Sequence, residues 1–438
     1  MNIETKHQQL PTHIKTEISD QIQFFLRKNA DQQMRFVIGF SKMIDFEVLK
    51  KAIRLSIFAE PVFSCVYYEE FKKPYWEKQE FIDTSLLIEI SEGNQQIENE
   101  ISKFLQQTIS PFEFPLVKAK LFRDNGKDIL CFNMNHTPTD GAGLKQFVKK
   151  LATIYNSLLK NPDFIPACNL EGDRSLKQVT TSFSLSDKLQ FAKYGFKKPK
   201  RNPSWSFGWD ANKNENKKQI IIDKIPENTF LTLKEYGKQH NATVNDIVIS
   251  AFMRSFEKSK PGNKLLAKPV IIPVDLRKYV NPEHHSAICS LTGSMICNIG
   301  NETGNSFSET LLKVKNEIKV KKEKHAEMFM LTQFLILSKI VPYAKLKNIT
   351  MQRKMPPIPL VTNIGVINPD DINFNGIPVE YSYLTGAICT ENFFCLGFST
   401  FKNEITFSVG FTGGNNEIQK VKKFLNDLKV ELELINLA

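Results

Sequence analysis

The chain has 438 residues, a formal net charge of +11, 41% hydrophobic residues and 24% charged residues. That length exceeds one ordinary core and predicts two domains of about 200 residues each, and the balanced composition excludes a globally disordered chain. The sequence has no apolar run of about 18 residues, so we expect no transmembrane segment. The polar N-terminus also lacks the apolar core of a signal peptide.

The seven cysteines are odd in number, include no Cys-x-x-Cys pair and lie mostly in apolar runs. This pattern indicates a reducing, cytoplasmic setting and predicts neither a disulfide framework nor a metal site. The positive charge would suit nucleic acid, an anionic membrane, coenzyme A phosphates or an acidic carrier protein. No nucleic-acid motif accompanies it, so we expect no nucleic-acid partner. The densest lysines, over 313–324, predict the solvated face of an amphipathic helix.

Strands and helices alternate along the first part of the chain. Asp124-Asn125-Gly126-Lys127 predicts a hairpin, because Asn-Gly suits a two-residue turn with positive φ. The hairpin would pair 116–122 with 129–134. The other predicted elements are strands over 33–40, 62–68 and 86–90 and helices over 45–58 and 97–108.

The stretch Asn133–Leu144 reads Asn-Met-Asn-His-Thr-Pro-Thr-Asp-Gly-Ala-Gly-Leu and joins the second hairpin strand to a helix. Apolar residues then recur at three- and four-residue spacing to about residue 158. A strand-to-helix turn suits a functional group, because rigid elements hold it on both sides. In a purely structural interpretation, Asp140 is an ordinary N-cap, Gly141 and Gly143 serve the turn, and His136 is a hydrogen-bonded histidine at a strand end.

The pattern breaks down over 161–218, which we interpret as a linker with one short helix near 185–194. Trp205 and Trp209 lie in it. They could line a binding cleft, but the favoured interpretation is that they anchor the linker onto a domain surface. The sequence therefore predicts an N-terminal domain over 1–175 and a second domain over 176–438, which includes the linker 176–218.

The second half starts the alternation again. Thr243 and Asp246 are spaced like a capping box at the start of a helix over 242–254. Helices interleaved with strands in both halves predict two α/β sandwiches. The other predicted elements are strands over 219–222, 270–277, 294–299, 359–367, 379–384, 393–401 and 404–411 and helices over 226–239, 307–324, 331–346 and 417–437.

His136-x-x-x-Asp140-Gly141 at the end of an apolar strand resembles the active-site motif of the chloramphenicol acetyltransferase and condensation-domain superfamily. Three more stretches resemble that superfamily in the same order: Pro-Phe-x-x-Pro-Leu over 111–116, Thr-Val-Asn-Asp over 243–246 and Pro-Val-Asp-Leu-Arg over 273–277. The resemblance implies two chloramphenicol-acetyltransferase-like α/β sandwich domains with mixed, largely antiparallel sheets. It also implies an active site at the interface of the domains.

The resemblance further implies acyl transfer from a thioester to an alcohol or amine by direct attack, with His136 as the general base. Asp140 would pair with an arginine, for which Arg277 is the candidate. Gly141 would leave room for pantetheine, and its N–H could help hold the oxyanion. Thr362 and Asn363 are candidates for lining the substrate site from the second domain.

The sequence departs from the superfamily pattern at two places. Many condensation domains carry two adjacent histidines, but Asn135 precedes His136 here, which places membership of the peptide-bond-forming group in doubt. The Asp-Phe-Gly-Trp-Gly signature of the plant acyltransferases is missing. The pair His284-His285 is not followed by Asp-Gly, so we interpret it as an exposed loop and not as a second centre.

Acyl-CoA is the favoured donor, because no carrier or adenylation domain accompanies the sequence. The thioester would be a co-substrate, and no bound cofactor is expected. One alternative is a free-standing condensation enzyme whose donor is held on the phosphopantetheine of an acyl carrier protein. Another is a non-catalytic binding protein of the same fold. A nucleic-acid-binding role would instead predict strongly salt-dependent affinity.

Overall fold

The structure is a computed structural model that describes residues 11–79, 84–93, 96–197, 205–209, 217–259, 267–352, 358–390 and 393–437. Strands within these residues form one five-stranded, one seven-stranded and one three-stranded sheet. The first part of the chain contains β1 (His13–Lys15), α1 (Ile18–Leu26), β2 (Gln33–Phe40), α2 (Phe46–Ala59), β3 (Cys65–Tyr68), β4 (Tyr75–Lys78), β5 (Ile88–Glu92), α3 (Ile97–Leu105), β6 (Val117–Asp124), β7 (Lys127–Asn135) and α4 (Gly141–Lys160).

The rest of the chain continues the alternation of helices and strands. Its elements are α5 (Lys177–Thr180), α6 (Leu185–Gly195), β8 (Lys218–Ile225), α7 (Glu227–Gln239), α8 (Val244–Ser259), β9 (Pro269–Asp275), β10 (Thr292–Asn298), α9 (Phe307–Glu323), α10 (Phe329–Ile340), α11 (Tyr343–Gln352), β11 (Leu360–Val366), β12 (Val379–Thr385), β13 (Ile388–Cys389), β14 (Cys395–Phe401), β15 (Glu404–Thr412) and α12 (Asn415–Glu433).

The five-stranded sheet has the order β12-β2-β7-β6-β5 and carries the candidate motif at the end of β7. The predicted hairpin is confirmed: β6 and β7 pair antiparallel, and Asn125 and Gly126 have φ of 49° and 75°. Side chains on β7 alternate between the faces of the sheet. Leu130, Phe132 and Met134 enter the core beneath α2 and α4, and the intervening side chains face the opposite side.

The seven-stranded sheet has the order β10-β9-β11-β14-β15-β13, and β8 pairs with β15. Its pairings are mixed, because β11 runs parallel to β9 and β14 while the β9–β10, β14–β15 and β8–β15 pairs are antiparallel. A second core covers this sheet with side chains from α8, α9 and α12. Each half of the chain therefore has its own sheet and its own principal core.

One strand of the second half lies in the sheet of the first half. β12 pairs antiparallel with β2 along Thr385↔Arg35 to Val379↔Phe40, and the chain then returns to the second sheet at β14. The segment after β12 contacts the start of β2, where Ile388 N donates to Asp31 Oδ1 at 2.8 Å and Arg35 donates to the Gly386 carbonyl at 3.0 Å. Sheet membership thus does not follow the predicted boundary at this strand, although the boundary at 175/176 itself stays a prediction.

The helix predicted over 331–346 is wrong in its extent. The structure has two helices there, α10 and α11, separated at Val341 and Pro342. Val341 is extended, with φ −115° and ψ 127°. The residue before a proline is pushed out of the helical region and the proline ring supplies no N–H, so the helix stops and restarts. None of the described helices is long and apolar enough to cross a membrane.

The linker tryptophans anchor the chain on the second core, as favoured from the sequence. Trp205 Nε1 donates to the Pro269 carbonyl at 2.7 Å, and Trp209 stacks on Phe411 with ring centroids 5.4 Å apart. The linker contains α5 in addition to the predicted helix. Most of the basic run over 197–201 lies outside the described residues.

The predicted capping box is confirmed at the start of α8, where Thr243 N donates to Asp246 Oδ2 at 2.8 Å. The lysine-rich segment over 313–324 also forms the predicted amphipathic helix. In α9, Leu311, Val314 and Ile318 are buried while the lysines lie on the other face. Both predictions rest on local sequence patterns, which the tertiary structure leaves intact.

The crossing of β12 onto β2 generates a testable prediction. A Cβ at Gly39 would lie 2.4 Å from Tyr381 Cε1, so Gly39→Ala must displace that ring. We expect a loss of about 1–3 kcal/mol in the free energy of unfolding, the usual range for overpacking. Chemical denaturation of Gly39→Ala, Tyr381→Leu and the double variant measures it. If Tyr381→Leu does not reduce the penalty of Gly39→Ala, the two positions are not packed against each other.

Candidate active site

The loop over 136–140 joins β7 to α4 and is tied to its surroundings along its whole length. The first tie is a backbone hydrogen bond in which His136 N donates to the Gln32 carbonyl at 2.8 Å. The last is Asp140, which caps α4 by accepting from Gly143 N at 2.9 Å. The structural role of Asp140 as an N-cap is therefore present, and it coexists with the contacts described below.

The ring of His136 is oriented by its own loop. Its Nδ1 lies 2.7 Å from the Thr139 carbonyl oxygen, and the residue is half-buried. A carbonyl oxygen only accepts, so this contact requires the hydrogen on Nδ1. In the neutral ring Nε2 then carries the lone pair, which is the arrangement that a base requires.

Asn135 occupies the position before His136, and the structure gives it a role in the turn. Its side chain is fully buried; the amide nitrogen donates to the Ile109 carbonyl at 2.8 Å, and the amide oxygen accepts from Thr137 N at 2.8 Å. Both ends of the amide are therefore engaged in holding the loop. Because Asn135 stands where many condensation domains have a first histidine, His136 is the one imidazole in the described loop over 136–140.

Asp140 is buried and joins the two halves of the chain through an ion pair with the half-buried Arg277. Arg277 donates to its two carboxylate oxygens, with both N···O distances 3.0 Å. Asp140 Oδ2 also accepts from Leu291 N at 2.8 Å and from the Thr292 hydroxyl at 2.9 Å. The sequence-predicted partners Asp140 and Arg277 are thus brought together across the boundary between the halves.

Burial and charge act in opposite directions on this pair. Burial by itself raises the pKa of Asp140, but the Arg277 guanidinium and the N–H donors of Gly143 and Leu291 outweigh it and hold that pKa below its usual value. For Arg277, burial lowers the pKa, but the Asp140 carboxylate raises it, and the net shift of this pKa is upward. Both side chains are therefore charged at neutral pH.

Gly141 begins α4 at a point of close approach between the halves. A Cβ at Gly141 would lie 2.8 Å from Ile364 Cγ2 of β11, so any larger residue would press against the second half. Among the described residues, the backbone N–H groups of Gly141 and Ala142 donate to no acceptor. The start of this 20-residue helix, five residues after His136 in the sequence, therefore presents two N–H donors without an acceptor among the described residues.

Arg174 is a functional candidate that sequence analysis missed. It is buried, donates to both carboxylate oxygens of Asp20 at 3.1 and 3.0 Å, and donates to the Pro138 carbonyl at 2.9 Å. Pro138 lies midway between His136 and Asp140, so this second ion pair fixes the centre of the loop. No local pattern marks Arg174, because it lies close to the predicted linker and its partner is far away in sequence.

Thr362 and Asn363 lie on β11, which approaches the start of α4. Lys145 of α4 holds this strand by donating to the Ile364 carbonyl at 2.9 Å. Asn363 is exposed and its side-chain oxygen accepts from Gly365 N at 2.9 Å. Neither residue forms a hydrogen bond with His136 or Asp140 in the described structure, so their assignment to the substrate site stays a prediction.

The histidine pair at 284 and 285 lies away from this loop. His284 Nε2 is 3.2 Å from Asp173 Oδ2, and His285 Nε2 is 2.7 Å from Asn169 Oδ1. Both residues are exposed, which agrees with the interpretation as a surface loop. In the part of the chain that the structure describes, no three His, Cys, Asp or Glu side chains are grouped so that they could hold a metal ion.

Comparison with known proteins relates this arrangement to one family. The model of the family described as "Condensation domain" matches residues 20–166, which contain the His136 loop. The structure aligns with the first condensation domain of the calcium-dependent antibiotic synthetase in complex with a substrate analogue, with a TM-score of 0.68, 14% identity and coverage of 98% of this chain and 97% of that one. The predicted resemblance to the condensation-domain superfamily is confirmed over residues 20–166, and the structural alignment shows the same fold over the rest of the chain.

Two further structures show how widely this condensation-domain fold is used. Trichothecene 15-O-acetyltransferase from Fusarium sporotrichioides aligns with a TM-score of 0.70 and 11% identity, covering 97% of this chain and 94% of that one. Polyketide synthase associated protein 5 from Mycobacterium tuberculosis aligns with a TM-score of 0.63 and 11% identity, covering 96% and 98%. The predicted two-lobed α/β fold is therefore confirmed along nearly the whole chain. No curated protein matches the sequence at a significant level.

The Asp140–Arg277 pair predicts a pH-dependent contribution to stability. Asp140→Asn keeps a capping oxygen but leaves the half-buried Arg277 with only the exposed Asp275 as a charge partner, so at pH 7 we expect a loss of about 3 kcal/mol. The native pKa of Asp140 is lowered, so the stabilisation is complete above the unfolded-state pKa of about 3.9 and is lost as pH falls through the native pKa. The gap between wild type and Asp140→Asn should therefore narrow below about pH 4.

Urea unfolding of both proteins at neutral and acidic pH measures this gap. Asp275→Asn is the matched control, because Asp275 accepts from the same arginine at 3.1 Å but its side chain is 54% exposed. We expect that control to cost less than about 1 kcal/mol. A gap for Asp140→Asn that stays constant to pH 3 would show that the charge of Asp140 does not stabilise the fold.

The Arg174–Asp20 pair predicts strong coupling between two residues distant in sequence. Arg174→Met leaves Asp20 buried beside Trp76, which donates to it at 2.9 Å, and we expect a loss of about 3–5 kcal/mol. Asp20→Asn combined with Arg174→Met should cost less than the sum of the single changes, because the double variant buries no unpaired charge. Denaturant unfolding of all four proteins completes the cycle. Additive losses would argue against a buried ion pair at this place.

Proposed function

We propose that the protein transfers an acyl group from a thioester to an alcohol or amine, with His136 as the general base. The observation that carries the proposal is the contact between His136 Nδ1 and the Thr139 carbonyl at 2.7 Å, which leaves Nε2 free to take a proton. The match of residues 20–166 to condensation domains supports the same chemistry at the same loop. The loop is also immobilised at Pro138 and Asp140, so the ring would be held in place before substrate binds.

The proposed reaction has two proton transfers and no acyl-enzyme. His136 Nε2 takes the proton from the acceptor O–H or N–H while the acceptor oxygen or nitrogen forms a bond to the acyl carbon. The tetrahedral intermediate then collapses, and its C–S bond breaks. The imidazolium returns the proton to the departing thiolate, so the histidine ends each cycle neutral. Asp140 has a positioning role, because its two carboxylate oxygens are occupied by Arg277 and the backbone.

The negative charge on the intermediate needs hydrogen-bond donors, and the start of α4 offers them. The N–H groups of Gly141 and Ala142 have no acceptor among the described residues, and they lie at the positive end of the helix dipole. One such donor is worth roughly 10²–10³-fold in rate at comparable sites. We therefore assign the oxyanion contact to this helix start, with Gly141 as the first donor.

Acyl-CoA is the proposed donor, and a phosphopantetheine-linked acyl carrier protein is the alternative. Either thioester would act as a co-substrate. The net charge of +11 favours both, because coenzyme A is phosphorylated and carrier proteins are acidic. The comparisons include a condensation domain of a synthetase and an O-acetyltransferase, so the fold supports either choice. Thr362 and Asn363 are proposed as substrate contacts from the second half.

A direct test is the release of free thiol in the presence of an acceptor. Wild type and His136→Ala are incubated with a panel of acyl-CoAs and pooled alcohols and amines, and coenzyme A and acylated products are measured by mass spectrometry. We expect acceptor-dependent release that falls by roughly 10²–10⁴-fold in His136→Ala, the usual contribution of a general base. A parallel set uses acylated carrier protein as the donor.

His285→Ala is the matched control, because it removes an exposed imidazole that contacts Asn169. Its activity should equal that of wild type. Equal turnover by wild type and His136→Ala with either donor would exclude His136 as the base. Absence of turnover with both donors, together with retained binding of a thioester, would favour a non-catalytic binding protein of this fold.

A further inference from the structure

Two of the most exposed large apolar side chains lie at one corner of the molecule. Phe71 is 71% exposed in the loop between β3 and β4, and Ile340 is 72% exposed at the end of α10. Single exposed apolar residues are common, but these two come from segments that meet in space. The loop and the start of α11 are joined by backbone hydrogen bonds, in which Ala344 N donates to the Phe71 carbonyl at 3.2 Å and Tyr343 N to the Lys72 carbonyl at 3.4 Å.

The corner rests on a rigid base. Tyr343 is buried between the loop and the core, where its hydroxyl contacts the Tyr67 hydroxyl at 3.3 Å and donates to Glu69 at 3.0 Å. Pro342 separates α10 from α11 and keeps Ile340 at the end of its helix. Phe71 and Ile340 are therefore held outward by ordered backbone on both sides.

Four lysines flank the two apolar residues in sequence: Lys72 and Lys73 after Phe71, Lys339 before Ile340, and Lys345 in the first turn of α11. All four are exposed, and none forms an ion pair among the described residues. Lys347 nearby differs, because it is paired with Glu69 at 2.5 Å. Glu70 adds one exposed carboxylate to the loop, so the local balance stays strongly positive. We call Phe71, Ile340 and these four lysines the lysine-flanked corner.

We propose that the lysine-flanked corner docks the protein onto an anionic lipid surface. An aromatic and a branched aliphatic side chain can enter the boundary between headgroups and acyl chains, and the lysines around them remain with the anionic headgroups. The charge is complementary to such a surface, and the four lysines need no rearrangement because no carboxylate holds them. The proposal does not depend on the proposed acyl transfer.

The size of the effect follows from the number of charges. Each lysine near an anionic bilayer contributes roughly fivefold to the partition coefficient, so two lysines contribute roughly 25-fold. Added salt should weaken binding, because counter-ions screen the exposed charges. Insertion of Phe71 and Ile340 adds an apolar part that salt does not remove. Binding should therefore need both the charge and the apolar pair.

Vesicle co-sedimentation tests the proposal on the full chain. Vesicles of phosphatidylcholine alone are compared with vesicles that contain about 30% phosphatidylglycerol. This fraction of anionic lipid gives the vesicles a strongly negative surface potential. Wild-type protein should sediment with the anionic vesicles and should remain in the supernatant with the neutral vesicles. Phe71→Ser/Ile340→Ser and Lys72→Gln/Lys73→Gln should each reduce the bound fraction at least tenfold. All four substituted positions are exposed, so far-ultraviolet circular dichroism should show unchanged folding.

The controls use α9, which also combines lysines with exposed apolar residues. Leu312 and Val320 are 53% and 41% exposed, and Lys319 and Lys322 are exposed on the same helix. Leu312→Ser/Val320→Ser and Lys319→Gln/Lys322→Gln match the corner variants in chemistry and charge, and they should bind like wild type. Loss of binding in the α9 variants with retention in the corner variants overturns the proposal, as does equal binding to neutral vesicles.

Titration with an acidic acyl carrier protein separates a lipid from a protein partner. If the corner variants lose affinity for the carrier protein while vesicle binding is absent in wild type, the corner is a protein-docking surface and the lipid proposal is wrong. If vesicle binding is lost in the corner variants and thioester turnover is unchanged in solution, the corner serves the membrane independently of the chemistry. Failure of the turnover assay itself leaves the vesicle result unaffected.

Discussion

The ion pair between the buried Asp140 and Arg277 is the constraint on which the candidate site depends. One carboxylate receives a guanidinium, a hydroxyl and two backbone N–H groups, and these donors come from both halves of the chain. Two charges removed from water are costly unless such a full set of partners is present. The pair therefore fixes the start of α4 and the seam between the halves at the same time.

The loop that carries His136 is held from three further directions. Asn135 holds the residue after the histidine, Arg174 holds Pro138, and Thr139 holds the imidazole ring through its carbonyl. Each contact limits a different part of a five-residue segment. The proposed base is fixed in orientation and tautomer, so it would lose little freedom on substrate binding, which would lower the entropic part of the barrier to the proposed reaction. The hydrogen bond to the Thr139 carbonyl is thus on the Nδ1 side of the ring, and Nε2 lies on the other side.

The two halves have separate sheets and cores, but one strand of the second half lies in the sheet of the first half. β12 leaves the second half, pairs with β2 and returns, so the first sheet is completed by residues far away in sequence. The buried Arg35–Asp31 pair lies where the segment after β12 meets β2. Arg35 donates to the Gly386 carbonyl, and Asp31 accepts from Ile388 N. Together with the Asp140 pair, this contact connects the halves at two places. We therefore expect the candidate site to be affected by changes in either the Asp140–Arg277 pair or the Arg35–Asp31 pair.

The sequence alone was sufficient for features that depend on near neighbours. The Asn125-Gly126 turn, the alternating strand β7, the amphipathic helices and the Asp140 cap are local patterns, in which a few consecutive residues determine the backbone. The spacing of His136, Asp140 and Gly141 likewise indicated the candidate site, whose role in function stays a prediction. Two predictions are wrong in their extent. The single helix over 331–346 passed over the local effect of Pro342, and the strand over 62–68 begins only at Cys65, because Pro61–Ser64 forms a 3-10 helix.

Only the tertiary structure decided which distant residues meet. Arg174 reaches Asp20 and Pro138 across 154 and 36 residues, and β12 pairs with β2 across more than 340. No periodicity encodes such contacts, because they follow from how two cores and their charges pack together. The same holds for the lysine-flanked corner, where backbone hydrogen bonds join the loop that carries Phe71 to the start of α11, close in sequence to Ile340. Local sequence determined the elements and the motif, and long-range packing of charge determined the site around them.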